Sequence, residues 1–113
     1  MPKGDICLAS FPYAGKVGAK TRPVLLLTDP IGPVPEILAA YMSSIVPAVL
    51  LPTDLVIDPT LPEHASTNLK FTTVLRLHKL ATIHGSDIVR SIGSVAPPTW
   101  SEVEARLRLL LGL

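Results

Sequence analysis

The sequence has little cysteine and few charges, and both shortages exclude classes of protein. The single cysteine among 113 residues, Cys7, cannot form an internal disulfide or, alone, a zinc site. This argues against a disulfide-stabilised secreted scaffold and favours the reducing cytoplasm. Since Cys7 lies in an apolar run, we expect a small buried hydrophobic residue. With 17% charged residues and a net charge of +1, any polyanion must bind a local cluster of cations.

Long hydrophobic runs and a targeting segment are also missing. The longest apolar stretches, near residues 45–51 and 107–111, contain Pro or Arg and fall far short of the ~20 residues that a membrane span needs. No basic stretch followed by an apolar region opens the chain, so we predict no signal peptide. We expect a cytoplasmic protein without membrane association. Its length and its 48% of hydrophobic residues suit one domain, residues 1–113, with a real core.

The common motifs of metal and nucleotide enzymes are absent as well. The sequence has no acidic run for two metals, no paired cysteine or His-x-x-x-His spacing, no glycine-rich phosphate loop before a helix and no Gly-x-Ser-x-Gly elbow. These absences argue against metal-dependent and nucleotide-hydrolysing enzymes. We therefore predict neither a metal nor a cofactor.

Short apolar runs between Gly, Pro and Asp residues predict strands. The predicted strands cover residues 5–11, 24–27, 37–46, 51–57, 71–77 and 88–95. The start of 37–46 also fits a helix, but Pro35 and Pro47 bracket the run at the length of one long strand, which we favour. Residues 79–83 either extend the preceding strand or form a short one. Residues 60–68 are polar and predict a loop.

One helix is predicted at the carboxy terminus. Thr99-Trp100-Ser101-Glu102 matches a capping box, in which the threonine and glutamate side chains bind free amides at a helix start. An apolar stripe of about three turns follows at spacings of three and four. Its members are Trp100, Val103, Leu107, Leu110 and Leu111. Several short strands and one helix predict a small, mostly β, barrel-like fold.

The strongest chemical candidates lie near the amino terminus. A predicted strand leads into a loop, residues 12–20, that carries Lys16, Lys20 and two glycines, and Arg22-Pro23 then opens the second strand. Ligand-binding residues concentrate on loops held by a rigid scaffold, and a planar guanidinium suits phosphate oxygens. This stretch is therefore a candidate for holding and cleaving a phosphodiester. From spacing alone, Arg22 fits a solvated or ion-paired arginine equally well.

Two further pairs of polar residues lie on predicted strands. Arg76 and His78 are two residues apart on one strand, and Ser43 and Ser44 interrupt another. Metal-free RNA cleavage needs a base, an acid and a cation for the phosphorane charge, which histidine and arginine supply. Alternatively, Arg76 and His78 lie on the solvent-exposed face of their strand without a catalytic role. The two serines are then polar residues in a strand and have no function of their own. If the strands close into a barrel, these four converge at one rim together with Lys16, Lys20 and Arg22. His64, in a polar loop, is expected to be solvated.

Short stretches along nearly the whole chain form a recognisable pattern. They are Gly4-Asp5-Ile6, the basic loop, Thr21-Arg22-Pro23-Val24, Ser43-Ser44, Leu51-Pro52-Thr53, Val74-Leu75-Arg76-Leu77-His78, Thr82-Ile83 and Leu111-Gly112-Leu113. In this order they resemble the MazF/PemK family of toxin endoribonucleases. Gly-Asp-Ile, a basic loop and Arg-Pro-Val form the most characteristic part of the resemblance.

The resemblance implies an SH3-like or CcdB-like barrel, a homodimer, and sequence-specific, metal-independent cleavage of single-stranded mRNA to 2′,3′-cyclic phosphate and 5′-hydroxyl ends. It also implies arrest of translation and growth, and a small antitoxin that blocks the site. By position, it implies catalytic roles for Arg22, Ser43, Arg76 and His78. It implies RNA contacts by Lys16, Lys20, Ser44 and Tyr13.

Two features depart from the family pattern. His78 replaces an expected carboxylate, which leaves open whether it acts as acid or base; Arg76 would then mainly stabilise charge. Few aromatic residues are available to stack on bases, a contact that contributes about 1–3 kcal/mol per base. Two other hypotheses stay open: a CcdB-type toxin that binds a protein such as gyrase without chemistry, and an inactive barrel that serves as an interaction module.

Overall fold

A six-stranded antiparallel sheet and a carboxy-terminal helix form the part of the chain that the structure, a computed structural model, describes: residues 2–10 and 21–113. The strands are β1 (Asp5–Ser10), β2 (Thr21–Leu26), β3 (Glu36–Ser43), β4 (Asp54–Ile57), β5 (Thr73–His84) and β6 (Ile88–Ser94), and the helix α1 spans Pro97–Leu111. Short 3-10 helices cover Pro62–Thr67 and Gly85–Asp87. The predicted fold class, mostly β (α+β) with a carboxy-terminal helix, is confirmed.

The strand order is β4-β5-β3-β2-β1-β6, with β4 and β6 at the two edges. The 12-residue β5 pairs with β4 through its first part and with β3 along most of its length. The β3–β5 register shifts where Ala40 lies opposite Leu80 but Tyr41 lies opposite Arg76. Such a bulge bends the strand and increases its twist. The bulge lies between the part of β5 that pairs with both β4 and β3 and the part, from Leu80 onward, that pairs with β3.

Both faces of the sheet are buried, which explains why the strands are apolar runs rather than strict alternations. One face packs Ile6, Leu25, Met42 and Leu75 against Val103 of α1. The opposite face is a second cluster, made of residues such as Cys7, Val24, Leu26, Ile37 and Ile83. Cys7 is fully buried, as predicted, and burial together with the nearby Asp5 carboxylate raises the pKa of its thiol.

The predicted strands occur in the predicted order, but their ends differ. Residues 37–46 form a strand, as favoured, which stops at Ser43, and β4 starts at Asp54 instead of residue 51. Residues 79–83 extend β5. The predicted loop 60–68 was wrong in part, because it contains a 3-10 helix. The strands end where their hydrogen bonds to neighbouring strands end. These bonds depend on distant parts of the chain, so local composition does not predict them.

The helix begins earlier than the predicted capping box. Its N-cap is Ala96, and Pro97 and Pro98 fill the first helical turn without any side-chain cap. Proline suits this place because its missing N–H would have had no partner. Thr99 is therefore buried inside the first turn, with Oγ1 3.5 Å from Nδ1 of His64. The prediction of a solvated His64 is also wrong, since this residue is only 8% exposed.

The apolar stripe of the helix is only partly used. Val103 is fully buried, and Trp100 and Leu107 pack against the same core. Leu110 and Leu111 stay exposed, the latter by 60%. Within residues 2–10 and 21–113, no helix is long and apolar enough to cross a membrane.

Candidate functional site

A cavity of about 270 Å³ lies where β2 begins and β3 ends, beside β1, β6 and the segment 68–71 that leads into β5. Among the described residues, three cationic ones line it, Arg22, Lys70 and Arg90, together with Ser43 and Ser44. None of its lining residues in the described part of the chain is acidic. We call it the cation cavity. Positive charge without a compensating carboxylate suits an anionic ligand.

Arg22 has the most unusual environment in the cation cavity. Its Nε is buried and has no hydrogen-bond partner among the described residues. Pro23 follows it and restricts Arg22 to an extended conformation, which keeps it in β2. A buried donor without an acceptor is destabilising, more so when it carries charge, and such groups in native proteins require an explanation. A ligand oxygen in the cavity would supply the missing acceptor.

Ser43 lies close to Arg22 because of the strand register. Val24 lies opposite Tyr41 in the β2–β3 pair. The same register, continued by two residues, places Arg22 opposite Ser43, and both residues line the cation cavity. The Ser43 Oγ accepts a hydrogen bond from the Ile45 amide at 3.1 Å. Its hydroxyl proton is thereby left to donate to a bound anion.

A second polar group, the Asp54 cluster, consists of Thr53, Asp54, Arg76 and His78. Asp54 lies opposite Arg76 in the β4–β5 pair. The Arg76 Nε donates to Asp54 Oδ1 at 2.9 Å, and Nη2 donates to Oδ2 at 3.3 Å. The Leu51 amide also donates to Oδ2, at 2.9 Å. The Arg76 charge is therefore compensated inside the protein by a fully buried carboxylate.

Both titratable groups beside Arg76 are shifted. Burial raises the pKa of Asp54, but hydrogen bonds from Arg76 and the Leu51 amide outweigh it, so the net shift of this pKa is downward. For His78, burial is the largest cause of a lowered pKa, and the positive charge of Arg76 lowers this pKa further. The negative charge of Asp54 opposes both by raising it. The His78 Nδ1 lies 3.2 Å from Thr53 Oγ1. His78 is therefore neutral near pH 7, and Asp54 is ionised.

The structure brings only part of the predicted site together. Arg22, Ser43 and Ser44 share the cation cavity, whereas Arg76 and His78 do not line it.

Strand register gives the separation between the two groups. Ser43 lies opposite Val74 of β5, so Arg76 is its diagonal neighbour, about 7–8 Å away. His78 lies two residues beyond Arg76, in the stretch of β5 where the register with β3 shifts, and it does not line the cavity. The predicted convergence at one rim therefore does not include His78 within one chain.

Several predicted residues fall in the stretch 11–20, which lies outside the described residues. They are Phe11 at the end of the first predicted strand, the loop from Pro12 onward, and the RNA-contact candidates Tyr13, Lys16 and Lys20. Among the residues that are described, no group of three or more His, Cys, Asp or Glu side chains is arranged to hold a metal ion.

Several residues that line the cation cavity together with Arg22 were not predicted from the sequence. Asn68, Lys70 and Phe71 line the cation cavity from one side, and Arg90 lines it from β6. The one sequence feature that could have indicated them is an aromatic residue, Phe71, next to Lys70 at the start of a predicted strand. Asp54 was not predicted either, because its pairing with Arg76 depends on strand register and the two are 22 positions apart.

The amino-terminal motif has a structural role. Gly4 adopts φ +89°, a conformation that favours glycine. Its N–H donates to the Leu26 carbonyl at 2.8 Å, and its carbonyl accepts from the Val95 amide at 3.0 Å. Gly4 therefore joins the chain start to the region after β6 and to the end of β2.

The sequence profile of the PemK-like, MazF-like toxins of type II toxin-antitoxin systems matches residues 2–111. The chain belongs to this family. The resemblance carried by Gly4-Asp5-Ile6 and Arg22-Pro23 is thereby confirmed. No curated protein is significantly similar to this MazF-like toxin in sequence.

Solved structures share the fold of this MazF-like toxin at low sequence identity. The toxin MazF-mt6 of Mycobacterium tuberculosis superposes with a TM-score of 0.73 and 21% identity, over 96% of this chain and 97% of that one. A mycobacterial endoribonuclease in complex with its cognate antitoxin gives 0.70 and 16%, over 100% and 96%. MazF of Deinococcus radiodurans gives 0.69 and 20%, over 100% and 97%.

Proposed function

We propose that this MazF-like toxin is a metal-independent, sequence-specific endoribonuclease that cleaves single-stranded mRNA to 2′,3′-cyclic phosphate and 5′-hydroxyl ends. The observation that carries the proposal is the buried, unpaired Nε of Arg22 in a cavity lined by cations and hydroxyls. A phosphodiester supplies the acceptor that this donor lacks. Family membership supports the same substrate class, and one structural relative is described as an endoribonuclease.

The proposed reaction needs no group outside RNA and protein. The 2′-oxygen attacks the adjacent phosphorus and loses its proton to a base, while the bond to the 5′-oxygen breaks and an acid protonates that oxygen. Arg22 binds the non-bridging phosphate oxygens, on which charge accumulates in the phosphorane. Ser43 donates a second hydrogen bond to the same oxygens. Both contacts lower the barrier because they are fixed before the reaction begins.

We propose His78, which is neutral near pH 7 and is therefore a competent base, for proton transfer. Because it does not line the cation cavity of its own chain, this role requires a second copy of the chain to bring its His78 within hydrogen-bond reach of the phosphate. None of the described residues that line the cation cavity is a histidine or a carboxylate, so this role falls on a group from outside it. Arg76 supports His78 by charge, since its own guanidinium is bound to Asp54. RNA contacts are proposed for Ser44 and three residues of the stretch 11–20, Tyr13, Lys16 and Lys20.

The proposed partners are a second copy of the chain and a cognate antitoxin, with arrest of translation and growth in the cytoplasm as the consequence. One structural relative is described in complex with its antitoxin. Uncharged residues 45–51 present a run of exposed apolar side chains, with Ile45 at 81% and Val49 at 78% exposure. Exposed apolar patches of this kind mark protein interfaces. This stretch is the best apolar candidate for either partner.

A second candidate function is a CcdB-type toxin that binds a protein target without chemistry. The observation that favours it is the separation of His78 from the cation cavity, which leaves that cavity without an acid or base of its own among its described lining residues. An inactive interaction module is favoured by no observation of the structure.

Incubation of the purified protein with a long RNA in excess chelator separates these functions. We expect discrete fragments that end in cyclic phosphate, identified by sequencing of ends and by resistance to direct ligation. Ser43→Ala slows this cleavage, whereas Ser86→Ala, a matched change at an exposed serine in a turn, does not. Intact RNA together with growth arrest on expression supports the protein-binding toxin. Intact RNA without growth arrest supports the inactive module.

A further inference from the structure

Phe71 is an exposed aromatic residue at the rim of the cation cavity. It lines the cavity, yet 69% of its surface is open to solvent. Leu69, two residues earlier, instead packs against the main core. A large aromatic side chain that is left outside the core, next to a cluster of cations, fits a surface that stacks on a planar ligand group.

The wall that carries Phe71 is held rigidly. A Cβ at Gly93 of β6 would lie 2.5 Å from the carbonyl oxygens of Ser66 and Thr67, so only glycine permits this close backbone approach. The Asn68 Nδ2 donates to the Ile92 carbonyl of the same strand at 3.0 Å. These contacts tie the chain directly before Phe71 to β6. A fixed wall loses little conformational entropy on binding, which favours affinity.

Asn68 adds an amide acceptor to a cavity whose other described polar side chains are those of arginine, lysine, serine and threonine residues. Because a carbonyl can receive a hydrogen bond only from the amide nitrogen, the Ile92 contact fixes which way the Asn68 amide points. The Oδ1 atom is left as an acceptor beside the cavity. Amino and imino groups on the edges of nucleobases are the donors that match it. The position also requires φ +53°, which asparagine tolerates.

We propose that residues 68–71 form a base-binding wall, in which Phe71 stacks on one base of the RNA and Asn68 Oδ1 accepts a hydrogen bond from a base. Lys70 and Arg90 bind the phosphate groups on either side of that base. The inference rests on the proposed function and names the residues that select the base next to the scissile phosphate. The described wall thereby adds recognition to that expected from Ser44 and the amino-terminal loop.

The test compares Phe71→Ala with Phe71→Trp. The probe is a fluorescein-labelled single-stranded RNA of random sequence with 2′-O-methyl riboses, which cannot be cleaved, and a matching strand without bases. Phe71→Ala weakens binding of the complete RNA by about 5- to 150-fold, and Phe71→Trp restores it. Neither variant changes binding of the abasic strand. Ile31→Ala, at another exposed apolar residue outside the cavity lining, is the matched control and has no effect.

Two more variants separate the roles within the wall. Lys70→Ala weakens both RNAs and reduces the slope of log affinity against log salt by about 0.7, the value for one phosphate contact on a single strand. Phe71→Ala leaves that slope unchanged. Asn68→Gly keeps the left-handed backbone and changes which base is preferred at one position of the cleaved sequence.

Equal binding of the complete RNA by wild type and Phe71→Ala overturns the base-binding wall, while the proposed function stands if wild type still cleaves RNA. A wild-type protein that binds no RNA overturns both. Because Phe71 is mainly exposed, its variants are expected to fold, and a thermal unfolding curve that matches wild type verifies this.

Discussion

Arg22 and Arg76 were both predicted as catalytic arginines on strands, yet the fold places them in opposite electrostatic settings. Arg76 makes two hydrogen bonds to a fully buried carboxylate. Arg22 lines a cavity without acidic residues among those described, and its buried Nε has no partner there. An arginine that is already paired holds the sheet together, whereas an unpaired one is free to bind an anion.

The difference also separates stability from function. Removal of one partner from a buried ion pair strongly destabilises a protein, because a buried charge is left without compensation. The unpaired Arg22 Nε is itself unfavourable for folding until a ligand binds. Unfavourable groups of this kind are typical of functional sites, where stability is reduced in exchange for binding. The following three predictions test this comparison, in order of decreasing effect.

The largest effect is expected from a paired comparison of Arg22→Ala with Arg108→Ala, which removes an exposed arginine of α1. Arg22→Ala lowers the RNA cleavage rate by about 100- to 1,000-fold or more, because it removes a preorganised donor to the phosphorane. Its urea midpoint stays at or above that of wild type, since no internal hydrogen bond of Nε is lost. Single-turnover cleavage and urea unfolding measure the two effects. Wild-type cleavage by Arg22→Ala would remove the central claim.

A large loss of stability, rather than of activity, is expected at Asp54. Asp54→Asn breaks the ion pair with Arg76 and lowers the free energy of unfolding by about 3 kcal/mol, at the lower end for a buried pair because the Arg76 side chain is 20% exposed. Urea unfolding measures the change, with Asp29→Asn at an exposed aspartate as the control. An unchanged unfolding free energy would show that the Asp54 cluster is not a structural pair.

The smallest effect is a pH dependence of stability. The pKa values of both Asp54 and His78 are lowered in the folded protein, from their ordinary 3.8 and 6.5. A lowered pKa means that the unfolded chain binds the proton more readily, so each contribution is present above the ordinary value and is lost as the pH falls through the folded one. Unfolding free energy should therefore fall below about pH 6.5 through His78, and again under strongly acidic conditions through Asp54.

His78→Gln should remove the first of these two losses, because glutamine does not titrate in this range. His84→Gln, at an exposed histidine at the end of β5, serves as the matched control. Chemical unfolding at a series of pH values measures both variants. An identical pH profile in wild type and His78→Gln would contradict a lowered pKa at this histidine.

Much of the architecture was predictable because it depends on local chemistry. Apolar runs between Pro and Gly residues indicated the strands, including residues 37–46, and the apolar spacing after Pro98 indicated the helix. The errors arose where distant parts of the chain meet. His64 is buried because Thr99 and the start of α1 pack against it. β3 stops at Ser43, which makes its last pair with β5.

The composition and motifs of this chain determine a mostly β MazF-like toxin with Arg22 and Ser43 as candidates, because strand patterns and short motifs are properties of neighbouring residues. Only the tertiary structure decided how the candidates are grouped. Strand register cannot be predicted from local sequence patterns. It places Arg76 opposite Asp54 and places His78 further along β5, outside the cavity lining. The close approach at Gly93 lets the backbone at Ser66 and Thr67 lie against β6, beside the cavity that Lys70 and Phe71 line together with Arg22.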